Sequence, residues 1–515
     1  MQNGDDKMVR KRISRTEKTV VNTAAGFINE IVTLICGLIL PRLILTHFGS
    51  EYNGITSSIT QFISCISLLK AGIGGVTRAS LYKPIAENDK YEISVIINQT
   101  EKFMRKIAVI FVLFVIVFAA VYPGLIDSSF DWLFSFSLII IISLSTFAQY
   151  YFGLTYQMLL YADQRQWIVM IVNAVSIVCN TIIATLLINL DTSIHIVKLG
   201  SSVVFVSSSI WTCYYVKKIY GINTKATSDK DYIKQRWDAL GQEIANFVNN
   251  NTDIMVLTIF TNLFEVSVYA VYNSVVMAVQ QVVRNLITSF GAAFGDMFAK
   301  KEYELMENNL RLYELIVFSL TTIFYSVVLV MVVPFVVLYT ADVKDVEYAR
   351  YTFAVIISIA GAFNCFSIPY HTVTAAIGHY KQTRNGAFVE AGINLTISII
   401  LVIKLGLVGV AIGTLIAAVF RMCRFAIYLG KNVLPRKNTL FIKHSLLSLC
   451  SMLSTYLLAK LYMPTVDSAV KWIAMAAITT IVATIITYLF HLIMHYEDVI
   501  KLVKKLKTVL LKNKK

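Results

Sequence analysis

The run VSVYAVYNSVVMAVQQVVRNLITSFGAAFG, residues 266–295, decides how the chain is read. Its thirty residues are nearly all apolar or small, and Arg284 is their one charge. Such a run exceeds the roughly 20 residues that cross a bilayer core. Placing a guanidinium within a membrane helix costs at least about 3 kcal/mol, even on lenient insertion scales. Gln280 and Asn273 lie four and eleven residues before Arg284, which sets all three on one helical face. A lone arginine can also snorkel to a lipid headgroup. The next charges, Asp296, Lys300 and Lys301, begin more than about 15 Å away by helical rise, too far for comfortable snorkelling. The polar face is therefore read as lining a wet cavity that accepts an anion.

Apolar runs of this kind recur from end to end. Of 515 residues, 57% are hydrophobic and 15% charged, with a mean hydropathy of +0.66, and a soluble core could not hide that much apolar surface. The chain is read as an all-α polytopic membrane protein of about fourteen spans, with no soluble catalytic domain. The spans fall near residues 20–45, 54–79, 104–126, 132–160, 166–189 and 194–216, then 237–262, 266–296, 311–339, 349–377, 384–404 and 406–429, and finally 440–462 and 469–494. Between spans six and seven lies a basic linker, 217–236. This organisation gives a basic N-terminus (1–19), a first lobe (20–216), the linker, a second lobe (237–429), a last helix pair (430–494) and a tail (495–515). The start of the chain reads as an uncleaved first helix.

The net charge of +15 follows membrane topology, not nucleic acid. With the N-terminus in the cytoplasm, 37 of the 46 lysines and arginines fall on the inner side. The other nine are Arg42, Lys70, Lys198, Arg284, Lys344, Arg350, Lys404, Lys460 and Lys471. That bias puts both termini inside and favours an even number of spans. The tail sets Val499, Leu502, Val503, Leu506, Val509 and Leu510 on one face among lysines, a basic amphipathic helix for the anionic inner leaflet. The seven cysteines lie in or beside apolar runs without CxxC spacing and are expected to be buried thiols. No metal site, Walker-type phosphate loop or other cofactor motif is expected.

Ionisable residues inside the spans are the functional candidates. Span one holds Glu30, with Arg42 just after Pro41. Span two holds Lys70 after a serine- and threonine-rich stretch. Span seven holds Asn246, Asn250 and Asp253 on one face, expected to line an aqueous surface. Arg284, Lys70, Arg42, Gln280, Asn273 and Asn250 are the candidate substrate-binding residues. Glu30 and Asp253 are the candidate ion-coupling residues. Glu314 and Glu390 sit early in their spans and are read as interfacial, and His371 as a packed core histidine. The two halves also echo each other. Spans two and eight each end rich in glycine, at 71–75 and 291–295, and each leads to a charged inner loop.

The run LPRLILTHFGSEYNGI (40–55), LLKAGIGG (68–75), Tyr82-Lys83, NTDIMVL (251–257) and VSVY (266–269) together resemble bacterial polysaccharide-biosynthesis membrane proteins. These are Wzx-type O-antigen and capsule flippases, of the MOP superfamily that also holds lipid II flippases and MATE exporters. The resemblance covers essentially the whole chain and implies a V-shaped transporter of two pseudo-symmetric six-helix lobes plus a C-terminal helix pair. It implies a cationic central cavity for an undecaprenyl-pyrophosphate-linked oligosaccharide, with coupling to protons, sodium or the membrane potential. Polysaccharide polymerase and export machinery are the candidate protein partners, in the bacterial inner membrane. A MATE-like exporter of organic cations is the rival on the same fold, and would be expected to carry an acidic cavity. A membrane glycosyltransferase or ligase would need a catalytic loop, and no loop between spans exceeds about twenty residues.

Overall fold

The computed structural model describes residues 15–70, 72–232, 240–287, 290–434, 436, 439–462, 464 and 466–494. These residues form eighteen α-helices, and no strand occurs among them. Twelve spans are long and apolar enough to cross a membrane, and a bent pair makes a thirteenth. In chain order the expected spans appear as α1 (Arg15–Phe48), α2 with α3 (Ser50–Ile63, Ile73–Glu87), α4 (Lys90–Val121), α5 with α6 (Trp132–Ala148, Leu154–Ala162), α7 (Gln166–Asn189) and α8 (Ile194–Tyr220). There follow α9 (Leu240–Phe260), α10 with α11 (Leu263–Ile287, Phe290–Ala299), α12 (Tyr303–Tyr339), α13 with α14 (Tyr351–Phe366, Ile368–Ala376), α15 (Tyr380–Leu405), α16 (Leu407–Asn432), α17 (Thr439–Tyr462) and α18 (Ala469–Met494). The expected tail helix lies outside the described residues.

The order of helix breaks repeats between the halves. Span two is two helices, α2 and α3. Spans three and nine are each one long helix, of 32 and 37 residues. Spans four and ten are each interrupted, at the π-turn Gln149–Gly153 and at Ser367. In the α2–α3 pair a 3₁₀ segment, Ser64–Lys70, ends at Gly72, whose φ of 76° suits glycine. The axis bends there by 44°.

The helices gather into two compact units. One holds Met1–Phe48 and Ile59–Glu243, the other Gly49–Ser58 and Ile244–Lys515. In the first, α1 lies along α7: Asn29 accepts from Asn173 Nδ2 (2.8 Å), and Asn22 accepts from the Trp167 amide (2.9 Å). In the second, Ser50 donates through its amide and its hydroxyl to Asp345, both at 2.6 Å, and Asn53 donates to Ser267 Oγ (2.8 Å). The last helix pair packs on α12, where Trp472 Nε1 donates to the Met331 carbonyl (3.1 Å).

Helices α15 and α16 approach unusually closely. A Cβ on Gly409 would strike the Leu401 carbonyl, and one on Gly413 would strike the Ser398 side chain. Backbone cannot yield as a side-chain tip can, and overpacking typically costs about 1–3 kcal/mol. Gly409→Ala should therefore lower the unfolding temperature in detergent. Gly392→Ala on α15, where a Cβ would meet nothing within 4 Å, should leave it unchanged.

Two expectations about burial need correcting. All seven cysteines are free, but only Cys365 is buried, and Cys179 and Cys450 are exposed. An apolar run does not say which of its faces turns outward to lipid. Glu314 and Glu390 are buried in ion pairs, not interfacial. Glu314 accepts from Arg436 Nη2 through both oxygens at 2.8 Å, and Glu390 lies 2.6 Å from Arg421 Nε.

Candidate functional site

The first unit contains a cavity of about 430 Å³ lined from five of its spans. Lys70 reaches it from the end of the 3₁₀ segment, with Nζ 5.6 Å from the centre of the Tyr150 ring. Lys198 enters from the start of α8, and Asn180 from α7. Gln149 and Tyr150 come from the π-turn that interrupts span four, a kind of bulge often found at functional sites. Hydroxyls of Thr60, Ser64 and Ser201 complete the polar wall. Two ammonium groups and no carboxylate line this cavity. In a low-dielectric wall such a pair focuses a positive field and offers charge-assisted donors to an anion.

A second cavity, of about 370 Å³, adjoins the first and shares Ser145, Thr146, Gln149 and Phe205 with it. Its lining adds Asn29, Gln157, Asn173, Ser208 and Tyr161, all polar and none of them a charged type. Carboxamides and hydroxyls both donate and accept hydrogen bonds, as the hydroxyls of a sugar require. The first unit thus offers a cationic chamber continuous with a neutral polar one.

The remaining candidates divide as follows. Arg42 is exposed near the C-terminal end of α1 and does not line either cavity. Glu30 is half-buried and has no ion pair among the described residues. In the second unit, Arg284 is an exposed residue of α10. It has no ion pair among the described residues, and it lies within electrostatic reach of Arg421. His371 joins this group, its ring edge-on to Phe425 at 5.3 Å. Apart from that contact its side chain is exposed. Gln280 is buried and Asn273 half-buried, so the polar face of α10 runs from covered to open. The Asn250 side chain lies outside the described residues.

Asp253 does not line an aqueous surface. It is buried and accepts from Tyr269 Oη and Thr414 Oγ1, each at 2.7 Å. Both bonds, from α10 and α16, go to Oδ2, and such pairing across the fold is invisible to helical periodicity. Lys198 is the residue that sequence reasoning passed over. Its place four residues into α8 looks like an ordinary interfacial anchor, and only the fold sets it opposite Lys70.

No family model and no curated protein matches this sequence. Solved structures do. A lipid II flippase MurJ in an inward closed conformation matches with a TM-score of 0.68 at 15% identity, over 93% of this chain and 100% of that one. A multidrug resistance MATE family transporter of the MOP superfamily, inward-facing, matches with a TM-score of 0.60 at 14% identity, over 78% of this chain and 94% of that one. The chain shares the fold of these two structures. An outward-facing MATE family transporter matches at 0.58 and 15% identity, over 80% and 94% of the two chains. These neighbours are flippases and transporters, and at such identity they show a shared fold and nothing of this chain's role or cargo.

Proposed function

We propose that this chain is a flippase that moves an undecaprenyl-pyrophosphate-linked oligosaccharide from the cytoplasmic to the outer face of the bacterial inner membrane by alternating access, for surface polysaccharide synthesis. The observation that carries this reading is the chamber holding Lys70 and Lys198 without a carboxylate. Ammonium groups suit a diphosphate, and the adjoining neutral chamber suits sugars. Arg284, in the second unit, is a further cation proposed for the diphosphate. The charge count assigns both termini to the cytoplasm. Glu30 and Asp253 are the candidates for proton or sodium coupling. Polymerase and export machinery are candidate partners on the outer side.

A MATE-like exporter of organic cations is the second reading, and buried Asp253 is the feature that favours it. Binding separates the two. Purified protein should retain a lipid-linked oligosaccharide diphosphate, inorganic pyrophosphate should compete for it, and a cationic dye should not. Retention of the dye with no effect of pyrophosphate would favour the exporter.

A further inference from the structure

A different basic pocket lies on the outside of the first unit. Its volume is about 800 Å³, and it opens between α4, the end of α8 and the segment that follows α8. That segment is strapped onto α4. Asn98 Nδ2 donates to the carbonyls of Asn223 and Ala226 (both 2.9 Å), and Gln99 Nε2 donates to that of Lys230 (2.8 Å). The strap gives the pocket a fixed roof.

Four cations line the pocket, Lys102, Arg105, Lys106 and Lys217, with Glu101 as the single carboxylate. Glu101 is already engaged, 2.6 Å from Arg105 and 3.7 Å from Lys217. The Arg105 guanidinium is also held over the Tyr151 ring at 5.0 Å. Lys102 and Lys106 remain exposed, with no ion pair among the described residues. They share one face of α4 with Val109, Leu113 and Val117, which are 58%, 61% and 63% exposed. From Lys106 to Val117 is about 16 Å of helix, close to the roughly 15 Å of hydrocarbon in one leaflet. A basic cup thus stands at one end of an apolar stripe one leaflet long.

We propose that this pocket binds an anionic phospholipid of the cytoplasmic leaflet. The phosphate sits between Lys102 and Lys106, and the acyl chains lie along Val109 to Val117. A soluble phosphate would use the lysines and leave the stripe unused, and a zwitterionic lipid would use the stripe and bring its own cation to the lysines. Basic pockets between helices on the inner side are where anionic headgroups dock. The proposal takes from the proposed function only the orientation of α4. A failed flipping assay would leave it standing, because it concerns a bound lipid and not the cargo.

The test is native mass spectrometry of the full chain in detergent, with phosphatidylglycerol, phosphatidylcholine and glycerol phosphate as probes. Phosphatidylglycerol should be retained in preference to phosphatidylcholine, and glycerol phosphate should not displace it at equal concentration. Lys102→Gln with Lys106→Gln should weaken its retention about tenfold, at roughly 1 kcal/mol or less per lysine, while the paired arginine substitutions should keep it. Each single glutamine variant should lose about threefold, so the test survives if the double variant expresses poorly. Equal retention of both lipids, or unchanged retention in the glutamine variants, would overturn the proposal. Displacement by glycerol phosphate would make this a soluble phosphate site and would overturn it too.

Discussion

Substituting glutamine for Lys70 and Lys198 together should reduce headgroup translocation on the order of a hundredfold while the protein still folds and inserts. On the proposed function each ammonium donates a charge-assisted hydrogen bond to a phosphate oxygen, a contact worth about 1.5–3 kcal/mol, and two losses at the lower end of that range compound to that factor. Glutamine keeps length and polarity, so the chamber of about 430 Å³ is not emptied. Lys70→Arg and Lys198→Arg should retain part of the activity, because they preserve the charge and alter only its geometry. A structural role would behave differently. If Lys70 served only to rest on the Tyr150 ring, its loss would lower thermal stability and leave the turnover of surviving protein unchanged. The measurement is therefore turnover per folded molecule, set beside the melting temperature of each variant.

The second large effect concerns stability. Arg436→Ala should destabilise the protein by about 3–5 kcal/mol, the usual result of removing one partner from a buried ion pair. Glu314 is fully buried on α12, and Arg436, 7% exposed, meets both its oxygens at 2.8 Å from the connection after α16. Without the guanidinium the carboxylate must stay charged and dry or take up a proton, and both are costly. Replacing both residues with methionine should recover most of the loss, because it removes the desolvation penalty along with the attraction. Thermal unfolding in detergent of the single and double variants would show the difference. Equal loss in both would mean that packing, and not charge, holds this connection.

How much of this was legible in the sequence depended on whether a residue acts alone or through a distant partner. The spans and their order could be read because hydrocarbon thickness fixes the length of an apolar run. Lys70 could be read because a lysine far inside a span is expensive wherever it points. Lys198 could not, since a lysine one turn into a helix is what an interface anchor also looks like. Glu314 and Glu390 looked interfacial for the same reason, and the partner Arg436 lies 122 positions from Glu314. Asp253 stood out correctly as a costly charge, but its environment was misread. Its neighbours within α9 suggested water, whereas Tyr269 and Thr414, contributed by other helices, close it off.

The central claim is that the chain moves an anionic, lipid-linked glycan across a bilayer. The most direct measurement is made in proteoliposomes carrying a lipid-linked oligosaccharide diphosphate, with an impermeant lectin reporting the glycan on the outer face. Wild-type protein should increase the glycan accessible from outside over protein-free vesicles, and the Lys70 and Lys198 glutamine variant should not. Absence of any protein-dependent change, together with export of a cationic dye by the same vesicles, would contradict the account.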